Sequence, residues 1–211
     1  MDLDTIYDAV LDGDAGATTA AVEAALAAGE TAQAILNEAC IPAMDEVGAL
    51  FEEGEKFVPE MLISARAMAA AMVILRPLLI EAGVENVGRV VLGTVHGDLH
   101  DIGKNLVGMM LEGAGFEVID LGTDVPPQKF VDAVVEYQPH IVGMSALLTT
   151  TTKSMPATLN ALTEAGVRDQ VKVIIGGAPI TDDFAVKIGA DGFAADAGSA
   201  ARAARALMGL S

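Results

Sequence analysis

The chain has 211 residues, 52% of them hydrophobic, and sets 12 Lys and Arg against 30 Asp and Glu for a formal charge of −18. A polyanion of this kind repels nucleic acid, whose affinity for proteins comes from clustered Lys and Arg. The high apolar content, recurring with helix and strand periods, excludes intrinsic disorder, and the length allows one large or two small domains. The opening MDLDTIYDAVLDGD has no basic stretch leading into an apolar core, so no secretory signal is expected. The longest apolar run, Met61 to Ile80, contains Arg66, Arg76 and Pro77, and no membrane span is expected. Cys40 is the single cysteine; in AILNEACIPAM it reads as a packed helix position, and a reducing cytoplasm is the expected location.

In chain order, Leu3, Ile6, Tyr7, Val10 and Leu11 share one face of a first helix that stops at Gly13. Asp14 is placed to cap an Ala-rich second helix ending at Gly29. Thr31 is placed to cap a third, which runs through Met44 and Phe51 with a kink expected at Pro42. A fourth helix starts near Pro59 and ends at Gly83, which makes a small helical bundle. After Gly88 the pattern changes to short β-branched runs alternating with amphipathic helices, the signature of a parallel sheet of βαβ units. Strands are predicted at 89–95, 116–121, 140–145, 171–176 and 192–194, and helices at 101–115, 127–137, 153–166, 181–189 and 198–208. The boundary falls near residues 83–88, giving a helical bundle over 1–86 and a doubly wound α/β domain over 87–211. Ligands of such sheets sit beyond the carboxyl ends of the strands.

The first strand leads into Thr94-Val95-His96-Gly97-Asp98-Leu99-His100-Asp101-Ile102-Gly103-Lys104-Asn105, where two imidazoles and two carboxylates lie beside two glycines. His100 could offer one ring nitrogen to a metal while the other donates to Asp98, which would fix the tautomer. Gly97 and Gly103 would then be small because a flat ligand approaches the backbone. Two alternatives remain open on spacing alone. One is a polar loop with Asp98 or Asp101 capping the next helix and His100 solvated. The other is a divalent metal held by His96, Asp98 and His100 on alternate positions of an extended segment. His140 precedes a strand, at the wrong end of the sheet for either. The ten Met residues read as core filling.

Asp98-x-His100-x-x-Gly103, then Ser145-x-Leu147 after the third strand and Gly176-Gly177 after the fourth, resembles the three-part signature of cobalamin-binding domains. LFEEGEKFVPEMLISARAM resembles the cap that precedes this Rossmann-like, flavodoxin-like domain in methionine synthase and in the corrinoid proteins of methyltransferase systems. The resemblance covers nearly the whole chain.

It implies a base-off, His-on corrinoid, with His100 as the lower axial ligand of cobalt, Asp98 bonded to its other nitrogen, and Thr151 as third member of a proton relay. Asp101, Ile102, Gly103 and Thr149 are carried over as contacts to the cofactor. Ser145, Leu147, Gly176 and Gly177 are carried over as the lining of a slot for its nucleotide tail. Phe51, Val58 and Met61 match the apolar positions covering the upper face. The implied function is a corrinoid methyl carrier, not catalytic alone. It would shuttle a methyl group on cobalt from a substrate-specific methyltransferase to a second methyltransferase acting on tetrahydrofolate or a thiol, with a reductive activator protein as a further partner. Of the donors served by such proteins, methylamines, methanol, glycine betaine and aromatic methyl ethers, the last is a marginal favourite. The alternatives are a cobalamin-dependent sensor, which would need a basic DNA-binding segment, and a separate cobalamin subunit of a mutase, which lacks this kind of cap.

Overall fold

The structure, a computed structural model, describes residues 3–83 and 86–210. The chain divides into two compact units, one reaching Asn86 and taking in Gly113–Gly115, the other made of the remainder from Val87. The boundary expected near 83–88 includes Val84 and Glu85, which lie outside the described residues.

The first unit is helical: α1 (Asp4–Asp12), α2 (Ala15–Ala27), α3 (Ala32–Ile35), α4 (Ile41–Glu52) and α5 (Val58–Glu81). The expected caps are in place. Asp14 accepts from the Ala17 N–H at 2.9 Å, and Thr31 from the Ala34 N–H at 3.1 Å. Gly13 ends α1 with φ of 77°, and a Cβ there would lie 2.5 Å from the Ile63 side chain, so only glycine fits. The Leu11 carbonyl, left without a helical partner by that ending, accepts from Lys56 Nζ at 2.8 Å and Ser64 Oγ at 3.0 Å. The expected kink at Pro42 takes a specific form. Leu36–Cys40 is a π-helical turn joining α3 to α4, with the Ile41 N–H bonded to the Leu36 carbonyl. The widened turn lets the helix pass a proline that cannot donate and whose ring would crowd a regular turn.

The central helix of this unit, α5, packs against α1, α2 and α4. By length and composition alone it is apolar enough to cross a membrane, with a mean hydropathy of 1.7, in spite of the Arg66, Arg76 and Pro77 that set it aside in the sequence. Its start is held by Glu60, whose Oε2 accepts from the Phe57 N–H at 2.8 Å.

In the second unit the described residues form one five-stranded parallel sheet: β1 (Arg89–Thr94), β2 (Glu117–Asp120), β3 (Ile141–Ser145), β4 (Lys172–Gly176) and β5 (Gly192–Ala194), in the order β2-β1-β3-β4-β5. The connecting helices are α6 (Ile102–Gly113), α7 (Pro127–Tyr137), α8 (Ser154–Glu164) and α9 (Asp182–Ile188), with α10 (Ala197–Leu207) last. Each strand and helix lies within two residues of its predicted ends. This is the doubly wound, Rossmann-like arrangement expected, and its strand order reverses between β1 and β3. In register Thr94 pairs with Ser145 and Ser145 with Gly176, so the three loops that follow leave the sheet side by side. Val91, Val142, Val173 and Ile175 build the sheet's contribution to a core completed by Phe130, Val131, Met155 and Leu162.

Candidate functional site

The sheet places Asp98 at the switch point, and its side chain is completely buried. The loop reaches it through a tight turn in which the Asp98 N–H bonds the Val95 carbonyl at 3.1 Å. Gly97, at φ of 84°, makes that turn possible, so its smallness has a backbone cause independent of any ligand.

Asp98 Oδ1 lies 2.7 Å from His100 Nδ1 and accepts from the His100 N–H at 3.1 Å. Oδ2 accepts from the Leu147 N–H at 2.8 Å, the Leu148 N–H at 3.2 Å and Thr151 Oγ1 at 2.7 Å. Burial raises the Asp98 pKa, yet the Thr151 hydroxyl, the His100 ring and the Leu147 and His100 amides outweigh it, and the carboxyl is held well below the usual range. An ionised carboxylate only accepts hydrogen bonds, so His100 Nδ1 must carry the proton of that 2.7 Å contact. In the neutral ring Nε2 is then the nitrogen with a free lone pair.

His100 is half exposed, and the Thr94 hydroxyl donates to its carbonyl at 2.9 Å. Leu99 on the same loop and Ile102 at the start of α6 are 72% and 74% exposed, and Leu147 and Leu148 are also exposed. A solvent-facing imidazole nitrogen with its tautomer fixed, amid exposed apolar side chains, is a donor set that fits one axial position of a flat, largely apolar metal macrocycle.

Asp98, His100 and Thr151 are thus brought together as expected, and of the run Thr149 to Thr152 it is Thr151 that turns inward; Thr149 is exposed. Asp98 is not a helix cap, because both of its oxygens are engaged here. The three-ligand metal alternative also fails. His96 Nδ1 turns instead to Asp124 at 2.8 Å, and among the described residues no group of three or more His, Cys, Asp or Glu is arranged to hold an ion. His140, at the opposite end of the sheet, has a fold role: its Nδ1 accepts from the Arg89 N–H at 3.0 Å.

Asp101, Ile102 and Gly103 are exposed, and a Cβ on Gly103 would meet nothing within 4 Å. The glycine pair after β4 is different. A Cβ on Gly177 would lie 1.9 Å from the Ala146 carbonyl oxygen, and one on Gly176 2.7 Å from that of Ala194, so both are required by backbone packing whatever else passes there. Ser145 is half-buried at the end of β3. In the helical unit Phe51 lies in the last turn of α4 and Val58 begins α5, both half-buried, and Met61 is buried one turn later.

Residues outside the expected set also shape the site. Leu148 lends its backbone amide, beside that of the expected Leu147, to hold Asp98 in place. Lys104, 2% exposed, bonds Asp120 Oδ2 at 2.5 Å and Asn105 Oδ1 at 2.7 Å. The signal was present in Asp120-Leu121-Gly122-Thr123-Asp124, a polar, glycine-bearing segment after the second strand, where ligand-forming loops are expected.

The chain is similar to known proteins over nearly its whole length. Residues 88–206 match a B12 binding domain, and residues 2–76 match a second, also described as a B12 binding domain. The chain is 42% identical over 203 residues to trimethylamine corrinoid protein 1 of Methanosarcina acetivorans, covering 95% of this chain and 94% of that protein. It is equally 42% identical over 208 residues to dimethylamine corrinoid protein 1 of Methanosarcina mazei, covering 98% and 95%. Its fold superposes with a TM-score of 0.84 and 29% identity on the methanol:cobalamin methyltransferase complex MtaBC from Methanosarcina barkeri, covering 98% of this chain and 79% of that one. This chain therefore belongs to the B12-binding family, with a B12 binding domain matched over residues 88–206 and a second over 2–76.

Proposed function

We propose that this chain is the corrinoid methyl carrier of a multi-component methyltransferase, with cobalt held from below by His100 Nε2 in a base-off, His-on state. The observation that carries the reading is the Asp98–His100 contact of 2.7 Å, which fixes the protonated nitrogen and leaves the other free at the switch point of the sheet. A bound corrinoid supplies the cobalt centre on which a methyl group is accepted and released.

The chain's own residues set the conditions for that exchange. His100 Nε2 would hold the cobalt of a bound corrinoid. The Nδ1 side of the ring stays bonded to the charged Asp98. Thr151 Oγ1 sits 2.7 Å from Asp98 Oδ2 and 2.8 Å from the Leu148 carbonyl. Its single proton has two acceptors, so the hydroxyl follows the carboxylate's charge by rotation alone. Gly103 leaves the backbone open to a macrocycle edge, and Asp101, Ile102 and Thr149 are exposed and free to contact it. Ser145, Leu147, Gly176 and Gly177 border the nucleotide tail.

The methyl donor is bound by a partner methyltransferase. The names of the 42% identical relatives favour methylamines over the aromatic methyl ethers that the sequence alone left as marginal favourite. The acceptor side is a second methyltransferase using tetrahydrofolate or a thiol, with a reductive activator restoring oxidised cobalt. The buried free thiol of Cys40 suits a reducing cytoplasm.

The test is absorbance spectroscopy after incubation with hydroxocobalamin and gel filtration, on the unaltered chain and on His100→Ala. We expect both to retain the corrin and only the unaltered chain to give the histidine-ligated spectrum. Reduction and methyl iodide should then methylate the bound corrin. Failure of corrin to co-elute with the unaltered chain in any redox state would overturn the reading.

A further inference from the structure

The loop that carries Asp98 and His100 is clamped by a residue from a different loop, the one following β2. Asp124 Oδ1 accepts from the Gly97 N–H at 2.7 Å and lies 2.8 Å from His96 Nδ1, while the Asp124 N–H donates to the Asp98 carbonyl at 2.9 Å. Asp124 therefore grips the turn Val95–Asp98 on both sides of Gly97. To do so it adopts φ of 52°, a left-handed conformation that a non-glycine residue rarely takes; Asp and Asn tolerate it best.

The two segments around this clamp are held independently. Val95 and Val125 form a parallel bridge, the Val125 N–H bonds the Thr94 carbonyl at 2.9 Å, and the Thr94 N–H bonds the Gly122 carbonyl at 3.0 Å. Asp120 Oδ1 accepts from the Gly122 N–H at 2.9 Å, and its Oδ2 holds buried Lys104 on α6. From the other side Ser154 Oγ donates to the His96 carbonyl at 2.9 Å. The loop after β2 is thus fixed at both ends, and a strained residue within it is spent on one turn. The Gly97 amide holds the Asp124 carboxyl below the usual range, with His96 adding to the effect, so the clamp is charged at neutral pH.

We propose that Asp124 is a positioning residue for cobalt ligation: by fixing the Val95–Asp98 turn it sets the Asp98 carboxylate, and through it the direction of His100 Nε2. This rests on the corrinoid reading above. Three substitutions separate the contributions. Asp124→Gly frees the backbone strain and removes the carboxylate. Asp124→Ala removes the carboxylate and keeps the strain. Asp124→Asn keeps both the left-handed backbone and an oxygen for the Gly97 amide.

Each variant is loaded with hydroxocobalamin, checked for fold by circular dichroism, and read by the ratio of histidine-on to histidine-off spectra. Outer partners of a metal ligand typically change its affinity about 10- to 100-fold. Asp124→Gly and Asp124→Ala should lower the ratio by about tenfold at the low end of that range, and Asp124→Asn should restore it. An unchanged ratio in Asp124→Gly overturns the proposal.

Amide exchange on the unaltered, cofactor-free chain provides a reading that needs no variant. The Gly97 N–H should exchange slowly although Gly97 is exposed, and fast exchange there also overturns the proposal. Failure of the corrinoid reading itself looks different: no corrin retained by the unaltered chain, with Gly97 still protected.

Discussion

Asp98 and Thr151 lie 53 positions apart in the chain and meet at 2.7 Å, the threonine hydroxyl donating to a carboxylate that is wholly buried. The contact exists because β1 and β3 are neighbours in register, Thr94 against Ser145, so the loops leaving them run together. A buried carboxylate survives only when its lone pairs are occupied, and Thr151 supplies the side-chain donor that the Leu147 and Leu148 amides do not replace. Thr151→Val should therefore cost about 2 kcal/mol, the range for a hydrogen bond to a charged group, and Thr151→Ser should recover most of it. Urea melts of the cofactor-free variants measure both; equal midpoints for Thr151→Val and the unaltered chain would contradict the account.

The two classes of glycine at the site should behave in opposite ways. Gly177→Ala puts a methyl group 1.9 Å from a carbonyl oxygen at φ of 122°, and should lose more than about 3 kcal/mol or fail to fold. Gly103→Ala meets only open space at the start of α6 and should stabilise the empty protein by up to about 0.5 kcal/mol, since glycine weakens helices. The same methyl group should weaken corrin retention on gel filtration. A Gly103→Ala protein that binds corrin as well as the unaltered chain would show that the macrocycle edge does not approach there.

Lys104 and Asp120 form an ion pair with unequal burial: the lysine side chain is 2% exposed and the aspartate 48%. Lys104→Met removes the buried charge and leaves an aspartate that water can reach, so a loss of about 1 kcal/mol is expected. Asp120→Ala strands the buried ammonium with Asn105 as its remaining bonded partner and should cost about 3 kcal/mol or more. Chemical denaturation of the two variants side by side tests the asymmetry, which would be refuted by equal losses.

Burial pushes the Cys40 thiol from 9.0 up to about 12. Between those values the unfolded chain has given up a proton that the folded chain keeps, so stability falls as pH rises. The contribution is complete below about pH 9, the ordinary thiol value, and is lost progressively towards about 12. Tyr7, raised to about 12 by burial and by its bond to Glu46, acts in the same direction above pH 10. Melting temperatures should decline more steeply above pH 9 in the unaltered chain than in Cys40→Ala. A thiol reagent at pH 8 should label the native chain slowly and the unfolded chain at once; rapid native labelling would mean that Cys40 is open to solvent.

The sequence by itself determined the two architectures and most ends of the elements, because those depend on local periodicity and capping chemistry, and its motif resemblance pointed to Asp98, His100 and the Thr149–Thr152 run. Asp14, Thr31 and Gly13 stop or start helices through bonds to residues at most a few positions away, and such contacts are written in order along the chain. What only the tertiary structure decided concerns contacts between loops from different strands. It turned His96 towards Asp124 and away from a shared metal, and chose Thr151 from a run of threonines. It gave Gly176 and Gly177 a backbone reason to be glycine. Those outcomes follow from strand order and register, which bring residues some 30 to 50 positions apart within hydrogen-bonding distance and have no local signature in the chain.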